Sequence, residues 1–229
     1  MLPVVAWLSL GVAFLCAAII AGHEIKNPQK MAVMNLVWPL TAMYLSVFGL
    51  FAYFRFGVRM TRRQQYPDAG MNMEMGQTTS PTLVEAAVSA THCGAGCVLG
   101  DVVSEFAVYR SGAMILGSML WASFVWDFVA AWCLGIAFQY FTIVPMRKLS
   151  PIEGLKAAVK ADTLSIIAFQ IGMYGWMLIA HFRLFSQSHL DPDQAAYWFV
   201  MQIAMICGFI TSIPMNWWLL KIGWKEAMN

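Results

Sequence analysis

Two cysteines and two acidic residues follow one another at four-residue intervals in one short stretch, as Cys93, Cys97, Asp101 and Glu105. In a helix a four-residue step advances only about 40° around the axis, so these side chains would form a slowly winding stripe. Thiolates on adjacent turns suit a soft metal ion such as Cu(I) or zinc, whereas the carboxylates could collect a cation or release protons. His92 points roughly 100° away from Cys93 and is therefore a doubtful third ligand.

Small residues share the side of this stripe, namely Gly96, Gly100 and Ser104. Such residues let the backbone of a second membrane helix come close, which predicts that the stripe faces the interior of a bundle. The alternative is that the cysteines are only small apolar packing residues and that the acids are solvated at the membrane surface. Because acids inside a membrane are costly to keep, their place on the stripe favours chemistry over packing.

A further acid, Asp127, falls near the middle of a later apolar segment. No lysine or arginine lies in the core of any predicted span, so Asp127 would be protonated, hydrogen-bonded or bound to a cation. We predict that it acts as a relay for the stripe. The alternative is a hydrogen bond between helices, to Gln139, Gln170 or Gln202.

Two groups of methionines are weaker metal candidates. Met71, Met73 and Met75 alternate in a polar segment, and thioethers favour Cu(I). Met201 and Met205 are one helical turn apart, a spacing similar to the methionine pair of copper-uptake channels. Methionine is common in this chain, so packing is the competing interpretation for both groups.

The whole composition indicates a membrane protein. Of the 229 residues 60% are hydrophobic and 11% are charged, whereas a soluble domain carries about 25% charged residues. The net charge is +2 and the basic residues are scattered, which argues against a nucleic-acid partner and leaves membrane lipid as the surroundings. The five cysteines all fall in apolar stretches, which is not the pattern of a secreted disulfide framework.

Apolar segments of about 20 residues predict an all-α, polytopic bundle of about six transmembrane helices. The predicted spans are 2–21, 33–54, 82–107, 112–140, 163–184 and 196–220. Residues 1–54 would form an N-terminal helix pair, 55–81 a cytoplasmic loop and 82–222 a four-helix membrane core that carries the motif. Ser150, Pro151 and Glu153 predict a helix start, and the residues that follow predict a short amphipathic helix on the membrane surface.

Basic residues predict the orientation of the bundle. They follow the second, fourth and sixth spans, which places these three segments and both termini in the cytoplasm of a multi-pass inner (plasma) membrane protein. The basic residues concerned are Arg55, Arg59, Arg62, Arg63, Arg147, Lys148, Lys156, Lys160, Lys221 and Lys225.

The sequence Thr-His-Cys-Gly-Ala-Gly-Cys-x-Leu-Gly-Asp at 91–101 resembles the core motif of a bacterial membrane family known as domain of unknown function 4396. The resemblance covers residues 80–222. It implies no established activity, but members of the family look associated with copper-related proteins. The resemblance therefore favours copper as the cofactor or cargo and copper-handling proteins as partners.

Three functions compete at this point. The first is binding or transport of a soft metal ion, Cu(I) above others, through Cys93 and Cys97. The second is an enzyme, a membrane thiol–disulfide oxidoreductase that passes electrons to quinone, although the usual redox motif has two intervening residues rather than three. The third is a non-catalytic structural subunit of a larger homo- or hetero-oligomeric membrane complex. We expect transport or metal binding rather than catalysis.

Overall fold

A computed structural model of the protein describes residues 1–29, 31–60, 81–185 and 190–225. Seven α-helices account for most of the described chain. They are α1 (Leu2–Lys26), α2 (Met34–Leu45), α3 (Val47–Arg55), α4 (Leu83–Ser111), α5 (Met119–Arg147), α6 (Pro151–Ile179) and α7 (Ala195–Lys221). A 3₁₀ turn follows α3 at Gly57–Met60, and one π-helical turn, Ala180–Leu184, continues α6.

The arrangement confirms a polytopic membrane bundle. Five of the described helices are long and apolar enough to cross a bilayer, namely α1, α4, α5, α6 with its π turn, and α7. Large apolar side chains such as Trp7, Ile171 and Ile210 are exposed on the outside. The central helix is α4, whose most apolar window is 78% buried, whereas that of the peripheral α1 is 22% buried. The helix that carries the motif is therefore surrounded by protein.

The predicted second span is broken in two. α2 ends at Leu45, and Ser46 adopts a φ of 49°, outside the helical region, before α3 begins at Val47. Pro39 lies inside α2, where it removes a backbone hydrogen-bond donor. Together α2 and α3 run from Met34 to Arg55, about the length of one span.

The predicted surface helix is not a separate element. Ser150 caps α6 and forms the expected capping box with Glu153, and Pro151 is the first helical residue. The helix then continues without a break to Ile179, because no glycine or proline occurs from 155 to 171. The amphipathic residues are thus the first turns of a membrane helix.

The fourth span begins later than the sequence predicts, at 119 rather than 112. Gly112 and Gly117 adopt positive φ angles of 65° and 74°, which ends α4 and turns the chain. Ser118 then caps α5 by accepting a hydrogen bond from the backbone N–H of Leu120. The apolar residues between the two glycines belong to this turn, which explains the shift.

Glycines bring α4 and α5 into backbone contact, as the small residues beside the stripe predict. A Cβ added to Gly96 would lie 2.9 Å from the backbone nitrogen of Gly135, and one added to Gly100 would lie 2.6 Å from that of Ala131. Both distances are shorter than real Cβ contacts. The backbones of α4 and α5 are therefore in direct contact beside the stripe.

Candidate functional site

Five polar residues follow one another at four-residue intervals along a slowly winding stripe of α4, and all five are buried. We call this set the α4 line: Ser89, Cys93, Cys97, Asp101 and Glu105. At 1.5 Å per residue it extends about 24 Å along the helix. The acids lie inside the protein rather than at a solvated surface, with Asp101 fully buried and Glu105 only 4% exposed.

At one end of the line the thiol of Cys93 joins a polar network. Its Sγ donates a hydrogen bond to Asp162 Oδ1 at 3.0 Å and lies 2.8 Å from Ser165 Oγ. Asp162 belongs to the interior of α6 and is fully buried. The predicted fifth span starts at 163 and leaves this residue in the preceding connection, which is wrong because α6 begins eleven residues earlier, at Pro151.

A lysine from the C-terminal segment enters the same network. Lys225 Nζ donates to Asp162 Oδ1 and to Asn216 Oδ1, both at 2.9 Å. It lies at 3.5 Å from the carbonyl oxygen of Ser89 and from Cys93 Sγ. The side chains of Lys225 and Asp162 are both 0% exposed. Lys225, which the sequence analysis counted only as a basic residue after the sixth span, is therefore part of the buried interior.

Lys225 keeps its charge in this position. Burial alone would lower the pKa of its ammonium group, but the negative charge of Asp162 and the hydrogen bonds that the ammonium donates act in the other direction. The resulting pKa lies above the ordinary lysine value. The ammonium and the carboxylate thus form a buried ion pair.

Asn216 of α7 completes the network. Its Oδ1 also accepts a hydrogen bond from Ser89 Oγ at 3.3 Å, and its Nδ2 donates to Ser165 Oγ at 2.6 Å and to the carbonyl oxygen of Ser212 at 2.9 Å. We call the surroundings of the ammonium, built from α4, α6 and α7, the lysine pocket. It consists of Ser89, Cys93, Asp162, Ser165 and Asn216.

The middle of the line has fewer polar contacts. Gln170 Nε2 donates a long hydrogen bond to Cys97 Sγ at 3.8 Å. Both oxygens of Asp101 are buried without a hydrogen-bond partner among the described residues. All five cysteines of the chain are free thiols, so Cys93 and Cys97 are not bridged. A buried carboxyl group without a partner is costly in a low-dielectric interior.

At the other end the acids form a cluster. Ser104 donates a short hydrogen bond to Asp127 Oδ1, and Ser123 donates to Glu105 Oε2 at 2.8 Å. The partner of Asp127 is thus a serine of α4 and not one of the glutamines that the sequence suggested. Glu105 and Ser123 line a cavity of about 340 Å³ at this end of the bundle, together with Tyr197.

Comparison with models of protein families identifies the family of this chain. The family model described as Domain of unknown function (DUF4396) matches residues 83–225. The chain belongs to the DUF4396 family. Comparisons with curated proteins and with solved structures give no match. The matched DUF4396 region begins at the first residue of α4 and ends at Lys225, so it contains the α4 line and the whole lysine pocket.

The remaining predicted ligands lie apart from the line. His92 is fully buried, and neither ring nitrogen has a hydrogen-bond partner among the described residues. Met201 and Met205 are buried in the apolar core, while Met71, Met73 and Met75 lie outside the described residues. No group of three or more His, Cys, Asp or Glu side chains in the described ranges is arranged to hold a metal ion.

The sequence missed the residues that surround the line from other helices. Asp162 and Ser165 are one turn apart on α6, and Ser212 and Asn216 are one turn apart on α7. These spacings place each pair on one helix face. Polar pairs at such spacing inside apolar segments were therefore an available signal. Nothing in the sequence indicated that Lys225 folds back onto them.

Proposed function

We propose that this protein moves a cation across the membrane along the α4 line, and that the cation is a soft metal ion, with Cu(I) as the first candidate. The observation that carries the proposal is the buried line itself. Its acidic end opens on a cavity, its centre holds two thiols, and its other end reaches an ion pair. Polar and acidic groups inside a membrane bundle typically mark ion or proton pathways.

The two thiols favour a soft ion over a hard one. Cys93 and Cys97 are unbridged and buried near the middle of α4, and thiolate ligands suit soft ions such as Cu(I) and zinc. Cu(I) is satisfied by low-coordinate sulfur ligation, so two cysteines on adjacent turns suffice. A cluster of three ligands, which zinc would need, is not required.

The acidic residues provide an entry for a cation from the cavity to the thiols of the α4 line. Asp101 lies one turn beyond Cys97 and has no hydrogen-bond partner among the described residues. A passing cation would give the oxygens of this carboxyl group the partner that the described residues do not provide. Asp127 and Glu105 lie between Asp101 and the cavity and are suited to attract the ion or to take up the proton that a thiol releases.

The orientation follows from the basic residues. α5 ends, α6 begins and α7 ends at the side of the bundle where the lysine pocket lies, and this side carries Lys148, Lys156 and Lys221. Basic residues accumulate on the cytoplasmic side of membrane proteins. We therefore place the lysine pocket at the cytoplasmic face of the plasma membrane and the cavity at the outer face.

Cu(I) binding tests the thiol part of the proposal. The purified protein, loaded with Cu(I) and freed of excess, is expected to hold one copper per chain at the thiols. The double variant Cys93→Ser, Cys97→Ser should lose that copper, as measured by elemental analysis. The matched control is Cys133→Ser, Cys207→Ser, which removes two thiols outside the line and should leave the content unchanged. Equal copper in all three proteins would refute the assignment.

Transport tests the acidic part. In proteoliposomes, Asp101→Asn is expected to reduce Cu(I) uptake about tenfold, which corresponds to roughly 1.4 kcal/mol of barrier for the lost charge. Copper binding at the thiols should persist in the same variant. Asp193→Asn, an exposed acid near α7, is the control and should transport normally. If Asp101→Asn transports as well as the unaltered protein, the line is not the pathway.

A further inference from the structure

The ammonium of Lys225 is held by oxygen and sulfur atoms that could equally serve as ligands of a metal cation. Two oxygens, Asp162 Oδ1 and Asn216 Oδ1, lie 2.9 Å from Nζ. The carbonyl oxygen of Ser89 and the sulfur of Cys93 lie at 3.5 Å. Carboxylate, amide and carbonyl oxygens are the groups that replace the water shell of a K⁺-sized ion in membrane proteins.

The walls of the lysine pocket and its occupant come from different parts of the fold. Ser89, Asp162 and Asn216 belong to the long helices α4, α6 and α7, where intrahelical hydrogen bonds hold them. Lys225 follows the end of α7 by four residues, after Gly223, which adopts a φ of 69°. The pocket therefore does not depend on the segment that fills it.

Among the described residues, a short turn holds the backbone of the lysine in place. The backbone nitrogens of Trp224 and Lys225 bond to the carbonyl oxygen of Leu219, at 3.0 and 3.2 Å. Outside the pocket, Lys160 Nζ lies over the half-exposed Trp224 ring at 4.5 Å. If the turn from Leu219 to Lys225 unwinds, the ammonium leaves the lysine pocket, and the oxygen and sulfur atoms of the pocket stay in place.

The charge of the empty pocket defines the ion it would take. Asp162 is its single acid, and the oxygen Oδ2 of this residue has no hydrogen-bond partner in the described part of the chain. Without the ammonium the pocket would carry one negative charge and an unused oxygen. One positive charge balances it, whereas a divalent ion such as Ca²⁺ or Mg²⁺ would leave the buried pocket with a net positive charge.

We propose that the lysine pocket is a binding site for a K⁺-sized monovalent cation, and that Lys225 fills this site as a tethered plug that closes the cytoplasmic end of the α4 line. The Lys225 ammonium occupies the place that a free monovalent cation would take. The site is distinct from the Cys93–Cys97 pair because its main donors are oxygens from α6 and α7. The cation site stands without the Cu(I) proposal, whereas the closing role of Lys225 rests on the proposed pathway along the α4 line.

Thallous ion is a suitable probe, since Tl⁺ is K⁺-sized and accepts both oxygen and sulfur donors. We expect purified Lys225→Met, prepared in Tl⁺ buffer and freed of excess, to retain one more Tl⁺ per chain than the unaltered protein. Lys221→Met is the matched control, because Lys221 is exposed on the same segment, and it should gain none. Adding Asp162→Asn to Lys225→Met should abolish the extra Tl⁺.

A second variant at residue 225 provides a control in case Lys225→Met does not fold. Lys225→Gln keeps a polar side chain without the charge and should also gain Tl⁺. The proposal is overturned if neither variant binds more Tl⁺ than Lys221→Met, or if the gain survives Asp162→Asn. It is equally overturned if both single variants fail to fold in Tl⁺ while Asp162→Asn, Lys225→Met folds. Copper content is measured separately, so failure here is distinguishable from failure of the Cu(I) proposal.

Discussion

Lys225→Met is expected to lower the free energy of unfolding by about 3–5 kcal/mol when no K⁺-sized cation is present. The variant leaves the Asp162 carboxylate buried without its ion-pair partner, since the side chains of both residues are 0% exposed. Removing one partner of a buried ion pair lowers the free energy of unfolding by more than the intact pair contributes, because the remaining charge stays desolvated. Unfolding of the purified protein in a choline buffer measures the loss.

The double variant Asp162→Asn, Lys225→Met distinguishes charge from packing. Removing both charges should recover most of the lost stability, because no uncompensated ion remains. The double-mutant cycle then gives the coupling between the two residues. Lys221→Met, at an exposed position, should change stability by no more than about 0.5 kcal/mol. Additive effects at residues 162 and 225 would contradict the buried ion pair.

Gly100→Ala is expected to destabilise the protein by about 1–3 kcal/mol through overpacking. The added Cβ would lie 2.6 Å from the backbone nitrogen of Ala131 and 3.0 Å from the carbonyl carbon of Ala130. Backbone atoms of a long helix cannot rotate away, so α4 and α5 must separate along their contact. The hydrogen bond from Ser104 to Asp127, one turn further along, would be weakened at the same time.

Gly175→Ala provides the matched comparison. Gly175 also lies within a membrane helix, α6, but a Cβ there meets nothing within 4 Å. This variant should be neutral or gain up to about 1 kcal/mol from helix propensity. Thermal unfolding in detergent, read by circular dichroism, compares the two proteins. Equal midpoint temperatures of unfolding for Gly100→Ala and Gly175→Ala would show that the α4–α5 contact is looser than described.

The helical membrane fold and the burial of the α4 line could be predicted from local patterns. A low content of charge and long apolar segments exclude a water-facing surface, so hydropathy is enough to identify a bundle. The four-residue spacing from Cys93 to Glu105 places the side chains on one slowly winding stripe, whatever the helix packs against. Gly96 and Gly100 beside that face are enough to predict a close neighbouring helix.

Element boundaries were harder to predict because they depend on single residues that hydropathy averages out. The break at Ser46 and the start of α5 after Gly117 both lie inside apolar stretches. The first turns of α6 look like a surface helix when taken alone. Their continuation into the membrane brings Asp162 beside Cys93, and a hydropathy profile penalises such an acid rather than predicting it.

The pairing of distant side chains depends on packing that no local pattern contains. Lys225 and Asp162 are 63 residues apart in the chain, and each alone is typical of a solvated membrane-surface residue. They meet because α4, α6 and α7 converge at one end of the bundle and the chain turns back after α7. The residue types along one helix thus follow from sequence and helix geometry, while the ion pair that closes the α4 line arises only when the helices are assembled.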